Sequence, residues 1–328
     1  MSTGIRAALL GVFLFVGTGV CGAGEPQTFP DARASDPIAL GWMVGSPPPA
    51  DKIIRFEDGS YRLFPQTRWS FSHWSEFRPV AVVSHGSSPI SVLPRRERPD
   101  LDNITFTPIG ATRPMTWKES LAANYTDGVL VLHRGRIVYE RYFGALSPER
   151  AHIAFSATKS IFGTIAAMLI EEGKLDPNER MDHYIPELKG SGFADATVAQ
   201  VLDMTTALKY SENYDDPSSD IYKLRYATGA LPPPSGYTGP HSQYEYLATI
   251  EKSGEHGAAF AYGSINSCAL GWLISRAAGK TPQELLEERI WRKLGAEGEA
   301  YLELDSTGAP YIAGGLNARL RDMVVSDN

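Results

Sequence analysis

The sequence predicts an α+β protein: an α/β sandwich in which helices cover a central antiparallel sheet. Two observations carry this. Val129-Leu130-Val131-Leu132-His133 and Arg136 to Tyr142 are strand-like runs joined by a tight Arg134-Gly135 turn. The stretch from Phe155 to Gly173 reads as a helix apolar on most sides, which belongs inside a domain. Helices flanked by strands bury such faces by layering.

The chain has 328 residues, 43% hydrophobic and 21% charged, enough for one large domain or two small ones. Its net charge of −7, with no basic run, argues against a nucleic-acid partner. Residues 1–23 read as a secretory signal: Arg6, then the apolar run Ala7 to Val20, then the small residues of Cys21-Gly22-Ala23. Cleavage after Ala23 predicts a periplasmic or secreted protein without a stable membrane span, since no other run is apolar enough to cross. Lipidation at Cys21 is the alternative, with Val20 a poor residue before it. After cleavage Cys268 is the one thiol left, so no internal disulfide forms. Its apolar neighbours Ile265, Ala269, Leu270 and Trp272 mark it as a buried small hydrophobe.

Residues 24–105 are rich in Pro and aromatic residues and poor in helical periodicity. Trp42, Trp69, Phe71, Trp74 and Phe77 are too many rings for a disordered tail. This stretch is expected to wrap the main domain as loops and short strands. The main domain, 106–328, opens with the hairpin above, whose first strand is apolar on both sides and so predicted central. Next come the Phe155–Gly173 helix, with Gly173 as its C-cap, and a short helix near Thr197 to Met204. Residues 207–261 form a tyrosine-rich, loop-rich region that reads equally as a lid or as packed surface. Two helices follow: Ile265–Ala278, closed by Gly279, and one capped by Thr281-Pro282-Gln283-Glu284, ending at Gly295. Ala300–Leu304 and Ala309–Ala313 are predicted strands, and Asn317–Met323 starts like a helix.

Ser156 and Lys159 fall on one helical face with side chains in reach of each other. A serine hydroxyl is a weak nucleophile unless a neighbouring base takes its proton, and a partly desolvated lysine supplies one. Ser-x-x-Lys also arises readily by chance, and a serine at a helix start is ordinarily a cap. A second feature strengthens the first. Tyr262, in Phe260-Ala261-Tyr262-Gly263-Ser264-Ile265-Asn266, precedes a strongly apolar helix and could complete a proton-transfer set for acyl transfer. The competing reading of Tyr262 is an aromatic plug. Other chemistries lack their signatures. There is no Gly-x-Ser-x-Gly elbow, no His-Glu-x-x-His and no Gly-rich phosphate cradle, so neither a metal nor a cofactor is expected.

Ser156-Ala157-Thr158-Lys159 ahead of a long apolar helix resembles the Ser-x-x-Lys motif of the serine β-lactamase and penicillin-recognising superfamily. Val201 to Thr206, Tyr210 to Pro217, Phe260 to Gly271, Gly314 to Asp322, and the N-terminal Leu40–Pro49 and Arg68–His73 resemble its class C-like branch. That branch includes family VIII carboxylesterases and 6-aminohexanoate-dimer hydrolases. The resemblance implies a β-lactamase-like α/β sandwich with an all-helical, loop-rich subdomain. It makes Ser156 the acylated nucleophile, Lys159 its activator and Tyr262 the base and acid, with the Ser156 N–H as one oxyanion donor. It places Tyr214, Ser264 and Asn266 at the substrate. Ser264 stands where the family's Tyr-x-Asn motif has asparagine, and Asn266 lies two residues on. Family members continue beyond the Gly-Gly-Leu…Arg-Asp segment into a third motif and an edge strand that gives the second oxyanion donor. Their absence before Asn328 leads to the expectation of a C-terminally truncated copy, and one lost oxyanion donor costs on the order of 100- to 1000-fold in rate. The expected function is a serine hydrolase acting on a small ester or linear amide. The alternative is a non-catalytic, ligand-binding remnant of the same fold. The sequence leaves the oligomeric state open.

Overall fold

A computed structural model describes residues 29–327. The expected signal segment and Cys21 lie outside the described residues.

Among the described residues, six strands are β1 (Val80–Val83), β2 (Gly128–His133), β3 (Arg136–Tyr142), β4 (His152–Ile153), β5 (Ala300–Glu303) and β6 (Leu316–Ala318), and the short strands Thr105–Phe106 and Met115–Thr116 pair with each other in a ladder of their own. Four of them form one antiparallel sheet in the order β1-β5-β6-β4. Its central strand β6 is wholly buried. Three helices matter for the site: α1 (Ala157–Glu171), α2 (Asp220–Ala227) and α3 (Ser264–Ala278). The faces of α1 and α3 meet in the main core, where Phe162, Ile165, Ala166 and Leu169 join Ile265, Ala269, Leu273 and Ile274 beside Leu302 and Leu316. Cys268 is buried among them, and burial pushes its thiol well above the ordinary range, so it is an inert core group.

Local signals explain much of this. Thr281 and Glu284 form a reciprocal capping box with Pro282 at the first helical position. Gly279 and Gly295, at φ 66° and 67°, stop the two C-terminal helices as sequence reading expects.

Four expectations need correction. β2 is not central: it pairs only with β3, in a separate two-stranded sheet. Its apolar residues are half-buried, and among the described residues no strand pairs with its other edge. α1 is not enclosed. Its buried residues 162, 165, 166 and 169 repeat at helical spacing, a single stripe, while Ala167 and Met168 face outward. Asn317–Met323 is not a helix start. Its first residues belong to β6, held between β4 and β5, so pairing on both sides overrides local propensity. Ala309–Ala313 forms only an isolated bridge at Pro310, a residue with no N–H for a ladder.

The N-terminal stretch contributes more than a wrapping. β1 is an edge strand of the main sheet, and Ile54, Tyr61, Trp69 and Trp74 pack with Ile153 into a second, aromatic core. Trp74 Nε1 donates to Glu303 Oε2 at 2.9 Å, and Arg78 Nε to Glu303 Oε1 at 2.8 Å. Glu303 is buried on β5, so these partners satisfy a carboxylate that would otherwise be costly to enclose.

Candidate active site

Ser156 sits at the entry to α1, immediately after a strained residue. Phe155 has φ 43°, a left-handed conformation that costs a side-chain-bearing residue on the order of 1–3 kcal/mol. Packing holds it there: its ring meets Phe71 and Trp74 edge-on at 4.8 and 5.8 Å. The turn is also tied to β6, through Ala154 N–H to the Leu316 carbonyl at 2.7 Å and Leu316 N–H to Thr158 Oγ1 at 3.2 Å. The result is a fixed hydroxyl at a helix start. Among the described residues, the Ser156 N–H donates to no backbone or side-chain acceptor, so it is available to a ligand.

Tyr262 arrives from a loop instead. Ala261 N–H donates to the Met204 carbonyl at 2.9 Å, Gly257 N–H to the Thr205 carbonyl at 2.8 Å, and Ala207 N–H to His256 Nδ1 at 2.9 Å. Met204 is itself left-handed, at φ 53°.

These supports bring three predicted residues together around one oxygen. Lys159 Nζ donates to Ser156 Oγ at 3.0 Å, and the Tyr262 hydroxyl donates to the same Oγ at 2.8 Å. Lys159 Nζ also donates to the Ala313 carbonyl and lies 5.3 Å from the centre of the Tyr262 ring. The partial desolvation expected of the lysine is met, but it does not extend to its partners. Lys159 is half-buried, but Ser156 is exposed and Tyr262 is 48% exposed, so water reaches the nucleophile.

The other predicted residues divide. Ser156, Ser264 and Tyr214 line one narrow cleft of about 80 Å3. Ser264 Oγ donates to Glu212 Oε1 at 2.7 Å, its N–H donates to Glu212 Oε2, and Tyr214 donates its hydroxyl to Oε1. Burial, followed by that carboxylate, pushes the Tyr214 phenol above its ordinary range, which keeps it a proton donor. Asn266 does not reach the cleft. It is buried, accepts from the Thr206 hydroxyl at 2.6 Å and donates to the Gly263 carbonyl at 3.4 Å, so it braces the turn beneath Tyr262.

Sequence reading missed Glu212, Arg62 and Arg225. Arg62 and Arg225 line the cleft beside Ser156, with Arg225 over the rings of Tyr214 and Tyr222 and Arg62 over those of Tyr61 and Trp74. The i,i+3 spacing of Tyr222 and Arg225 was a usable signal for the first of these stacks. Among the described residues, no group of three or more His, Cys, Asp or Glu could hold a metal ion.

This fold, with a serine, a lysine and a tyrosine meeting at one oxygen, is accompanied by direct likeness to known proteins. The β-lactamase family model matches residues 120–324, and the chain belongs to that family. It is a hydrolase of the family and a homologue of 6-aminohexanoate-dimer hydrolase. The Paenarthrobacter ureafaciens enzyme of that name is 31% identical over 301 residues, spanning 91% of this chain and 68% of that protein. A solved structure from Bacillus anthracis, provisionally described as a 6-aminohexanoate-dimer hydrolase, is 31% identical with a TM-score of 0.77, covering 85% of this chain and 72% of that one.

Proposed function

We propose that the protein is a serine hydrolase that forms an acyl-enzyme on a small ester or linear amide. The observation that carries this reading is the meeting of Lys159 Nζ and the Tyr262 hydroxyl at Ser156 Oγ, at 3.0 and 2.8 Å. The Tyr262 phenol first gives its proton to solvent, its phenolate charge offset by the Lys159 ammonium, and Ser156 Oγ then attacks the carbonyl carbon as its own proton passes to the Tyr262 oxygen. The Ser156 N–H donates to the oxyanion of the tetrahedral intermediate. Tyr262 then returns the proton to the departing alcohol or amine. A water enters by the reverse route and releases the acid, regenerating Ser156. Open access of solvent to Ser156 suits this second half-reaction. Ester and amide substrates share the same intermediate and differ in how much the leaving group depends on Tyr262 for its proton.

The test is turnover of 4-nitrophenyl butyrate together with mass-spectrometric detection of a covalent adduct from a fluorophosphonate probe. The parent protein is expected to label at Ser156, and Ser156→Ala to lose both label and turnover, on the order of 10⁴-fold or more. A folded parent that neither labels nor turns over ester would favour the ligand-binding reading. A Ser156→Ala variant with retained turnover would remove the mechanism.

A further inference from the structure

The charges around the cleft are unevenly satisfied. Two carboxylates lie close to it, and both are occupied. Glu212 accepts from Tyr214, from the Ser264 hydroxyl and from the Ser264 N–H. Glu303 accepts from Arg78 and Trp74. The two guanidiniums in the lining are not so engaged. Arg225 makes no side-chain hydrogen bond to any described residue, and its guanidinium carbon lies 5.0 and 4.9 Å from the centres of the Tyr214 and Tyr222 rings. Arg62 gives one N–H, from Nε, to the Tyr61 hydroxyl at 2.9 Å and lies 4.8 Å from the centre of the Trp74 ring. Neither is ion-paired among the described residues. Both are half-buried, and both line the same 80 Å3 space as Ser156.

Stacking on rings holds a guanidinium plane in place while leaving its edge of N–H donors unused. That edge matches a carboxylate, which accepts two parallel N–H bonds from an arginine fork. The walls are aromatic and the space is slender, which suits a short methylene chain between the reacting carbonyl and the anionic end. A cationic substrate end would meet two fixed positive charges with no free carboxylate to receive it.

We propose that the cleft selects substrates bearing a carboxylate, received by Arg225 and Arg62, so that the preferred ester or amide is a half-ester or half-amide of a short dicarboxylic acid. The proposal rests on the serine-hydrolase reading of the same site and names its substrate class.

The experiment compares two esters with the same leaving group and similar length, mono(4-nitrophenyl) glutarate and 4-nitrophenyl pentanoate, on the parent protein, Arg225→Gln and Arg62→Gln. The parent is expected to favour the anionic ester in kcat/KM by about 10- to 100-fold, the range of a charge-assisted bond, with the preference falling as salt is added. Each variant is expected to lower the anionic-to-neutral ratio at least fivefold, chiefly through KM. Arg225→Lys recovers part of the ratio, because it keeps the charge but not the fork. An anionic-to-neutral ratio of one or less in the parent, or a ratio unchanged in both Gln variants, overturns the proposal. Failure of the serine-hydrolase reading looks different: neither ester turns over and Ser156 takes no label. Calorimetric titration then decides alone. Tighter binding of glutarate than of glutaramide, lost in the Gln variants, supports the proposal, and equal binding of the two overturns it.

Discussion

The turn that presents Ser156 and the loop that presents Tyr262 solve the same problem by different means. The serine turn passes through a left-handed, non-glycine residue, Phe155 at φ 43°, and the tyrosine loop leans on one in a neighbouring segment, Met204 at φ 53°, whose carbonyl receives the Ala261 N–H. At the serine the strain is held by packed rings, by the start of a 15-residue helix and by hydrogen bonds to the central strand. At the tyrosine it is held by a few loop hydrogen bonds, and Phe260 and Tyr262 stand out into solvent. The turn that carries the nucleophile is therefore anchored to the core, whereas its proton partner is hung beside it. A hydroxyl that must meet a carbonyl within tenths of an ångström needs the rigid mounting. A group that only takes and returns a proton tolerates the looser one.

The largest effect is expected on the rigid side. Trp74 is buried, packs edge-on against Phe155 and donates to buried Glu303. Trp74→Ala should cost about 3–5 kcal/mol of stability, as large-to-small core changes do. The loss of a donor to Glu303 adds to that cost. Urea unfolding of parent and variant measures it. A change below about 1 kcal/mol would show that the aromatic core of the N-terminal stretch does not brace the serine turn.

On the loop side the expected effect is catalytic. Tyr262→Phe removes the hydroxyl that lies 2.8 Å from Ser156 Oγ and keeps the ring over Lys159. kcat should fall by about 100- to 1000-fold, the usual worth of a positioned acid–base group. KM and urea stability should stay close to the parent values. A fall below tenfold would assign the proton transfer to Lys159 alone.

The same contrast explains what was legible in the sequence. Ser156 and Lys159 lie one helical turn apart, so their meeting is a local event that spacing reveals. The Thr281 capping box and the Gly279 and Gly295 stops are local in the same way. β6 was misread because its strand character comes from burial between β4 and β5, which no window of sequence contains. Asn266 was misread because the family resemblance that placed it at the substrate does not say which way a first-turn side chain points. It turned inward, to Thr206. Arg62 and Arg225 were invisible as a pair because an N-terminal turn and α2 meet only in the folded cleft.

The smallest expected effect tests whether the loop depends on the strained backbone it hydrogen-bonds to, at Met204, or on the side chain that bears the strain. Met204 offers its carbonyl to Ala261 and is only partly buried. Met204→Gly keeps the left-handed angle without its steric cost, worth about 1 kcal/mol. It also loses some apolar contact and gains freedom in the unfolded chain, and both oppose that gain. The net change should stay within about 1 kcal/mol, a shift in Tm of roughly 4 °C or less, with kcat kept within a few-fold. Melting curves and ester turnover on one preparation read both. If kcat drops more than tenfold while Tm holds, the Met204 side chain itself sets the position of Tyr262. The loop would then be as tightly mounted as the serine turn, and the contrast between the two sides of the site would disappear.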